Sequence, residues 1–184
     1  MTLYKTLRGT AGAYGHGDYA DYMPHGQRPG KWLPPVKPVL CDSGYHYCRN
    51  LQEALVHAGP VLVEAEVRGE IVEGDDKAAA ESLRLLRIVP EWNETNLRLF
   101  AVDCARLVLP YADAELRELL SACLDVTTAY ALGYADVAAT DVATAADYAA
   151  YYAAKFRSGR KINVVKLAHK AMREHGLPVP TSFS

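Results

Sequence analysis

Apolar and polar side chains alternate with a period of two in several stretches of the first half of the chain. In TLYKTLR, residues 2–8, Leu3, Lys5 and Leu7 alternate with Thr2, Tyr4 and Thr6, and Gly9 follows. Bulky and β-branched residues outnumber helix formers there, so the spacing predicts a first strand. In VLVEAEVRGEIV, residues 61–72, Val61, Val63, Ala65 and Val67 share one face while Glu64, Glu66 and Arg68 share the other. This is the pattern of a half-buried strand. Arg68-Gly69-Glu70 predicts a tight turn or bulge, and EGDDK, 73–77, a charged turn. SLRLLRIV, 82–89, sets Leu83, Leu85 and Val89 opposite Arg84, Leu86 and Ile88. Val39–Cys48 predicts strand, turn or both, with Ser43 and Gly44 permitting a bend. Extended chain from Gly44 to Cys48 would place His46 and Cys48 on one face and Tyr45 and Tyr47 on the other, with Cys41 at the opposite parity to His46 and Cys48.

Helical signals punctuate and then replace this alternation. Asn50 followed by Glu53 is a capping-box pattern, the helix runs through Leu51, Ala54, Leu55 and Ala58, and Gly59-Pro60 stops it. The glycine-, proline- and tyrosine-rich stretch Thr10–Pro38 predicts a long irregular loop, either a surface excursion pinned by Trp32 or a cover over a pocket. After Pro90 the period changes. Asn93 or Thr95 caps a helix with Leu97, Phe100, Ala101, Cys104 and Val108 at helical spacing and Arg98, Asp103 and Arg106 mostly outward, ended by Pro110. Asp113 begins another, with Leu116, Leu119, Leu120, Cys123, Thr127 and Tyr130 on one stripe and Gly133 as either a stop or a close-packing position. Ala135–Phe156, dominated by Ala with Tyr148, Tyr151 and Tyr152, predicts a helix hairpin or one long helix. SGRK, 158–161, is a loop, and Asn163 caps a last helix ending at Gly176. The fold class is therefore α+β: a small, mostly antiparallel sheet domain with one short helix over residues 1–92, then an α-helical domain over 93–184 with a short C-terminal tail.

Composition narrows the function classes. The chain has 184 residues, half of them hydrophobic, and its 20 Lys plus Arg nearly balance 22 Asp plus Glu. The overall charge thus points to no polyanion or membrane partner. No run approaches the roughly 18 apolar residues of a membrane span, and MTLYKTLRGT has no signal-peptide pattern, so a cytoplasmic setting is expected. Four cysteines are too few for a disulfide scaffold and read as free thiols.

The densest chemistry lies in CDSGYHYCRNLQEALVHAGP, residues 41–60. Cys41, His46, Cys48 and His57 offer four zinc-compatible ligands, although Cys-x4-His-x-Cys is not a usual structural-zinc spacing, and buried free cysteines with a hydrogen-bonded histidine explain the same residues. Cys41 or Cys48 beside His46 is a candidate nucleophile pair, because a thiolate is stabilised by a nearby imidazolium or helix N-terminus and Cys48 precedes a helix start. A separate feature is the basic segment carrying Lys155, Arg157, Arg160, Lys161, Lys166, Lys170 and Arg173 against Glu174. Such a face tracks phosphates, docks on acidic protein surface, or is simply solvated.

Gly44-Tyr45 leading into the Asn50–Ala58 helix, after the strand Leu3-Tyr4-Lys5, looks like the tyrosine strand of ADP-ribosyltransferase folds, where a glycine and an aromatic residue flank the nicotinamide pocket. No histidine stands in the first strand, where Tyr4, Lys5 and Thr6 occupy the place that one transferase branch gives it. The ribose-orienting glutamate that the resemblance implies would be Glu73 or Glu81. PGKWLPPVKPVLCDSGYHYCRNLQEAL, VEAEVRGEIVEGDDK and RLLRIVPEWNETNLRLFAVDCARLVLP together resemble a group of small actinobacterial and actinophage proteins of unknown function, and the helical half is similar to alanine-rich proteins called putative immunity proteins. That resemblance implies a phage or mobile-element setting and no reaction.

Two functions are carried forward. In the first, the chain is a phage or prophage accessory protein that acts by protein–protein interaction or self-association through its Tyr/Ala-rich helices, needs no cofactor, and meets nucleic acid, if at all, through the basic segment. In the second, it is an NAD- or nucleotide-binding protein or enzyme with a degenerate ADP-ribosyltransferase-like pocket, whose ligand-binding candidates are Tyr45, His46, Trp32, Lys77 and Glu81.

Overall fold

The computed structural model describes residues 2–13, 15–57, 59–111, 114–134, 169–170 and 172–178. The predicted helices within Ala135–Phe156, the loop 158–161 and the cap at Asn163 lie outside the described residues. The chain divides into two compact units, one over residues 1–93 and one from Glu94 to Thr181.

The first unit is a curled five-stranded antiparallel sheet. Its strands are β1 (Leu3–Arg8), β2 (Ala11–Gly12), β3 (Tyr45–Tyr47), β4 (Val61–Glu73) and β5 (Ala78–Ile88), in the order β2-β1-β4-β5-β3. Beyond β3 the sheet returns on itself: the Tyr4 N–H donates to the Cys48 carbonyl and the Cys48 N–H to the Tyr4 carbonyl, both at 2.8 Å. Strand parity sets which side chains share a face, although the opposite face is buried here as well, at Tyr4, Thr6 and Leu62. Lys5 pairs with Val63 and Leu7 with Val61, so these side chains share the inner face. There Leu7, Val63, Ala65, Leu83 and Leu85 pack with Tyr47, and Tyr19 and Leu33 close the core from the long segment before β3. Each fully buried Leu contributes about 1.5–3 kcal/mol.

Several expectations are corrected here. β5 begins at Ala78 rather than at 82. Ala78, Ala79 and Ala80 have the highest helix propensity, yet they are fully buried and pair with Glu73, Val72 and Ile71 on one side and with β3 on the other. Tertiary pairing outweighs local preference. The alternation over 82–89 breaks at a bulge where Leu86 has no partner, so Arg87 pairs with Glu64, Ile88 with Val63, and Val89 is buried beside Leu62. Only Tyr45–Tyr47 of the stretch 39–48 is strand. Before it, Val39 and Ser43 bridge across a turn in which Cys41 has φ 65°. The loop is anchored by buried Tyr19 and Leu33, while Trp32 sits half-exposed with the guanidinium groups of Arg68 and Arg84 at 4.2 and 5.1 Å from its ring. Residues 30–36 also donate hydrogen bonds to Leu85, Leu83 and Glu81 along β5.

The helix α1 (Leu51–Val56) starts as predicted at Asn50, whose Oδ1 accepts the Glu53 N–H at 2.9 Å. Glu53 reaches back one residue further than a standard capping box, accepting from the Arg49 N–H at 2.9 Å. After the helix, the Gly59 carbonyl accepts from the buried Trp92 Nε1 at 2.9 Å.

The second unit contains α2 (Glu94–Val108), a 3-10 turn at Leu109–Tyr111, α3 (Ala114–Ala131) and helical residues at 169–170 and 172–174. On α2 the buried face is wider than the predicted stripe. Leu99 and Val102 belong to it, and Asp103, predicted outward, is 7% exposed. The Asp103 carboxyl is pushed up by burial, with Lys170 and Arg106 acting against. Both predicted glycine stops hold. Gly133 (φ 78°) and Gly176 (φ 66°) each close a Schellman motif, Tyr134 N–H to Ala129 O and Leu177 N–H to Met172 O both at 2.8 Å.

The turn-or-bulge reading of Arg68-Gly69-Glu70 resolves as a bulge inside a continuous β4. Gly69 has φ 83°, and a Cβ there would come within 2.4 Å of the Glu81 Oε2, which accepts the Glu70 N–H at 3.0 Å. Gly69→Ala should therefore destabilise the protein by about 1–3 kcal/mol with an unchanged denaturant slope, as read in urea unfolding. A neutral result would show that the bulge relaxes freely.

Candidate functional site

On the edge of β1 away from β4, Tyr4 pairs with Cys48 and Leu7 with Gly12. Between these pairings Lys5 and Thr6 meet no described strand, and a cleft of about 440 Å³ opens there. That size lies within the range of small-molecule sites, about 300–1,000 Å³. Its lining draws on β1, the glycine-rich segment after β2 with His16 and Tyr19, the turn at Cys41 and Asp42, β3, and His57 and Lys77.

Lys5 forms part of the lining. Its parity sends it to the apolar face with Leu3 and Leu7, and it is 7% exposed. The Nζ donates to the His46 carbonyl at 2.7 Å and stands 4.9 Å from the centre of the Tyr19 ring. No carboxylate among the described residues pairs with it. Burial lowers its pKa from the usual lysine range to about 8, with only the Cys48 sulfur acting the other way. Lys5 belongs to the alternation of the first strand and is not among the sequence candidates. The available signal was a cation at an apolar parity.

His46 is tied into the loop by its Nε2, which accepts the Cys41 N–H at 2.8 Å, an arrangement that leaves the ring proton on Nδ1. Its pKa is lowered by burial first, and then by Lys5, Lys77 and His57. His57 is lowered by burial as well, against the pull of Asp76, whose Oδ2 lies 3.3 Å from Nε2. The Thr6 hydroxyl donates to the His57 carbonyl at 2.9 Å, and the Tyr45 hydroxyl to the Pro34 carbonyl at 2.8 Å. Burial pushes the Tyr19 phenol up to about 12.

The predicted residues divide. Tyr45, His46, Lys77, Cys41, Cys48 and His57 all line the cleft; Trp32 and Glu81 do not. Glu81 is engaged at the Gly69 bulge, and Glu73 pairs with Arg49 at 3.0 Å, so neither proposed ribose-orienting glutamate reaches the cleft. The nucleophile reading of Cys48 is corrected: burial, reinforced by Glu53, pushes its thiol up to about 12, where it stays protonated at neutral pH. His46 is no base for Cys41, because its Nε2 lone pair is already engaged by the Cys41 amide. The parity argument about Cys41 fails for the same reason, since a turn folds Cys41 back toward His46. Among the described residues no three His, Cys, Asp or Glu side chains are grouped to hold a metal ion. Of the basic segment only Lys170 and Arg173 are described. Lys170 pairs with Glu174 at 2.8 Å, and Arg173 is exposed. Arg157, Arg160, Lys161 and Lys166 lie outside the described residues. No described helix is long and apolar enough to cross a membrane.

No protein-family model matches the chain, and comparisons with curated proteins and with solved structures also find no match.

The lowered Lys5 pKa fixes a sign. Below about pH 8 the ammonium is protonated folded and unfolded alike, and its burial opposes folding in full. Between there and the unfolded value of 10.5 the unfolded chain holds the extra proton, so this contribution to stability rises with pH. The stability of wild type relative to Lys5→Met should accordingly improve by about 2–3 kcal/mol from pH 7 to pH 10, as followed by denaturant unfolding. A difference independent of pH would show that Lys5 is solvated.

Proposed function

We propose that the protein binds a small, ring-bearing acid of mononucleotide size in the cleft beside β1. The observation that carries this reading is the buried Lys5 ammonium, which has no carboxylate partner among the described residues, in a cleft that Lys77 also lines. The charged lining is two lysines, Lys5 and Lys77, against one aspartate, Asp42. A buried cation without a counter-ion gains most from an arriving anion, because the low-dielectric surroundings strengthen that attraction. Tyr45 and Tyr47 offer apolar ring surface, and the glycines of the 12–17 segment let backbone approach a ligand closely.

This reading keeps the pocket of the ADP-ribosyltransferase analogy and leaves out transfer chemistry, since Glu73 and Glu81 are engaged elsewhere. The other reading, a phage or prophage accessory protein acting through Tyr/Ala-rich helices, rests on residues 135–156, outside the described residues.

Two-dimensional NMR titration with adenosine 5′-monophosphate and with adenosine tests the proposal. The phosphate form should shift resonances of Lys5, Tyr45 and Lys77, the nucleoside should bind at least about tenfold more weakly, and added salt should weaken the phosphate form. Lys77→Ala should reduce its affinity about three- to tenfold. Equal affinity for both probes, or shifts confined to other residues, would sink the reading.

A further inference from the structure

We propose that Lys5 is a nucleophilic amine, and that the cleft takes small aldehydes or ketones carrying an acidic group, which condense with Lys5 to an imine. The inference rests on the cleft being a ligand site, and it specifies the ligand class. The hydrogen bond from Nζ to the His46 carbonyl is one that an amine and an ammonium both donate, so loss of a proton leaves Lys5 in place. The Tyr19 ring and the buried Cys48 side chain keep water from the amine, and no described carboxylate fixes its charge. These are the surroundings in which lysines serve as carbonyl nucleophiles: desolvated, in a concave site, with another cation near. Lys77, which lines the same cleft, is the cation assigned to the ligand's acid group.

The reaction balances without a further reagent. The lone pair of neutral Nζ adds to the carbonyl carbon, and the C–O π pair moves onto oxygen. The two amine protons pass to that oxygen, which leaves as water while the C=N bond forms. The titratable groups that line the cleft with Lys5 are His16 and Tyr19 from the segment after β2, Cys41 and Asp42 in the turn, Tyr45, His46 and Tyr47 of β3 with Cys48 after it, and His57 and Lys77. Tyr19 and Cys48, both near 12, stay neutral around pH 8, and His46 and His57 are already uncharged there. With Lys5 near 8, roughly one molecule in ten carries the free amine at pH 7.

Incubation of the full chain with pyridoxal 5′-phosphate from about pH 6 to about pH 10, borohydride reduction, and intact-mass and peptide mapping test this. The expected result is one adduct per chain, on Lys5, with a rate that is half-maximal near pH 8 and about three- to tenfold lower in Lys77→Ala. Lys5→Arg should remove it. Peptide mapping of the wild-type chain locates the adduct directly, so the test stands even if that variant folds poorly. Labelling spread over surface lysines, or an unchanged adduct in folded Lys5→Arg, overturns the proposal. Pyridoxine 5′-phosphate, which has the ring and phosphate but no carbonyl, separates the two readings by NMR titration. If it binds in the cleft while no Lys5 adduct forms, the nucleophile is wrong and the binding site stands; if it does not bind and no adduct forms, both fail.

Discussion

Two backbone hydrogen bonds between Tyr4 and Cys48 shape the first unit. A β-sheet has edges whose unpaired amides and carbonyls need partners, and this sheet meets the need by curling until the chain beyond β3 pairs with β1. The closure is incomplete because β3 is short and β2 shorter. One end of the β1 edge is taken by Cys48 and the other by Gly12, and the interval at Lys5 and Thr6 is left to side chains. Thr6 caps the carbonyl of His57 and Lys5 that of His46, so the cleft is the remainder of an imperfectly closed sheet.

That geometry explains why a lysine stands where periodicity asks for an apolar residue. The inner face of β1 is dry at Leu7, but at Lys5 it looks into the opening and onto the ring of Tyr19. Burying an ammonium opposes folding, and a position that opposes folding persists where the group has work to do. His46 and His57 at the same opening have lowered pKa values, through burial first and then nearby cations, and Lys5 and Lys77 line it with Asp42.

What was legible in the sequence was whatever depends on local spacing. The strands β1 and β4, the Asn50 cap, the Gly69 irregularity and the stops at Gly133 and Gly176 follow from backbone sterics and a period of two or 3.6, and the structure has them, with β1 buried on both faces. What was not legible depends on partners distant in the chain. Ala78–Ala80 reads as helix until β3 and β4 flank it. Asp103 reads as outward until burial and Lys170 are in place. The turn at Cys41 needs His46 as an acceptor, which parity reasoning over a supposed strand cannot supply. The candidate site was legible in part: Tyr45 and His46 are neighbours in sequence and line one cleft, Lys77 joins them because β5, which begins just after it, pairs with β3, and Trp32 and Glu81 belong to different surroundings. Lys5, Thr6 and Tyr19 enter the cleft only through the curl of the sheet.

The two tryptophans both fall within residues 1–93, and they occupy contrasting environments. Trp92 is buried with its indole N–H on the Gly59 carbonyl, and Trp32 is half-exposed beneath two guanidinium groups. Intrinsic tryptophan emission is therefore a signal of the sheet unit alone, with a blue-shifted and a red-shifted component, while the unit from Glu94 onward is optically silent in that channel. Far-ultraviolet dichroism, dominated by helix, is weighted toward the silent unit. Followed side by side on one sample, the two signals separate the melting of the sheet from that of the helices without cutting the chain.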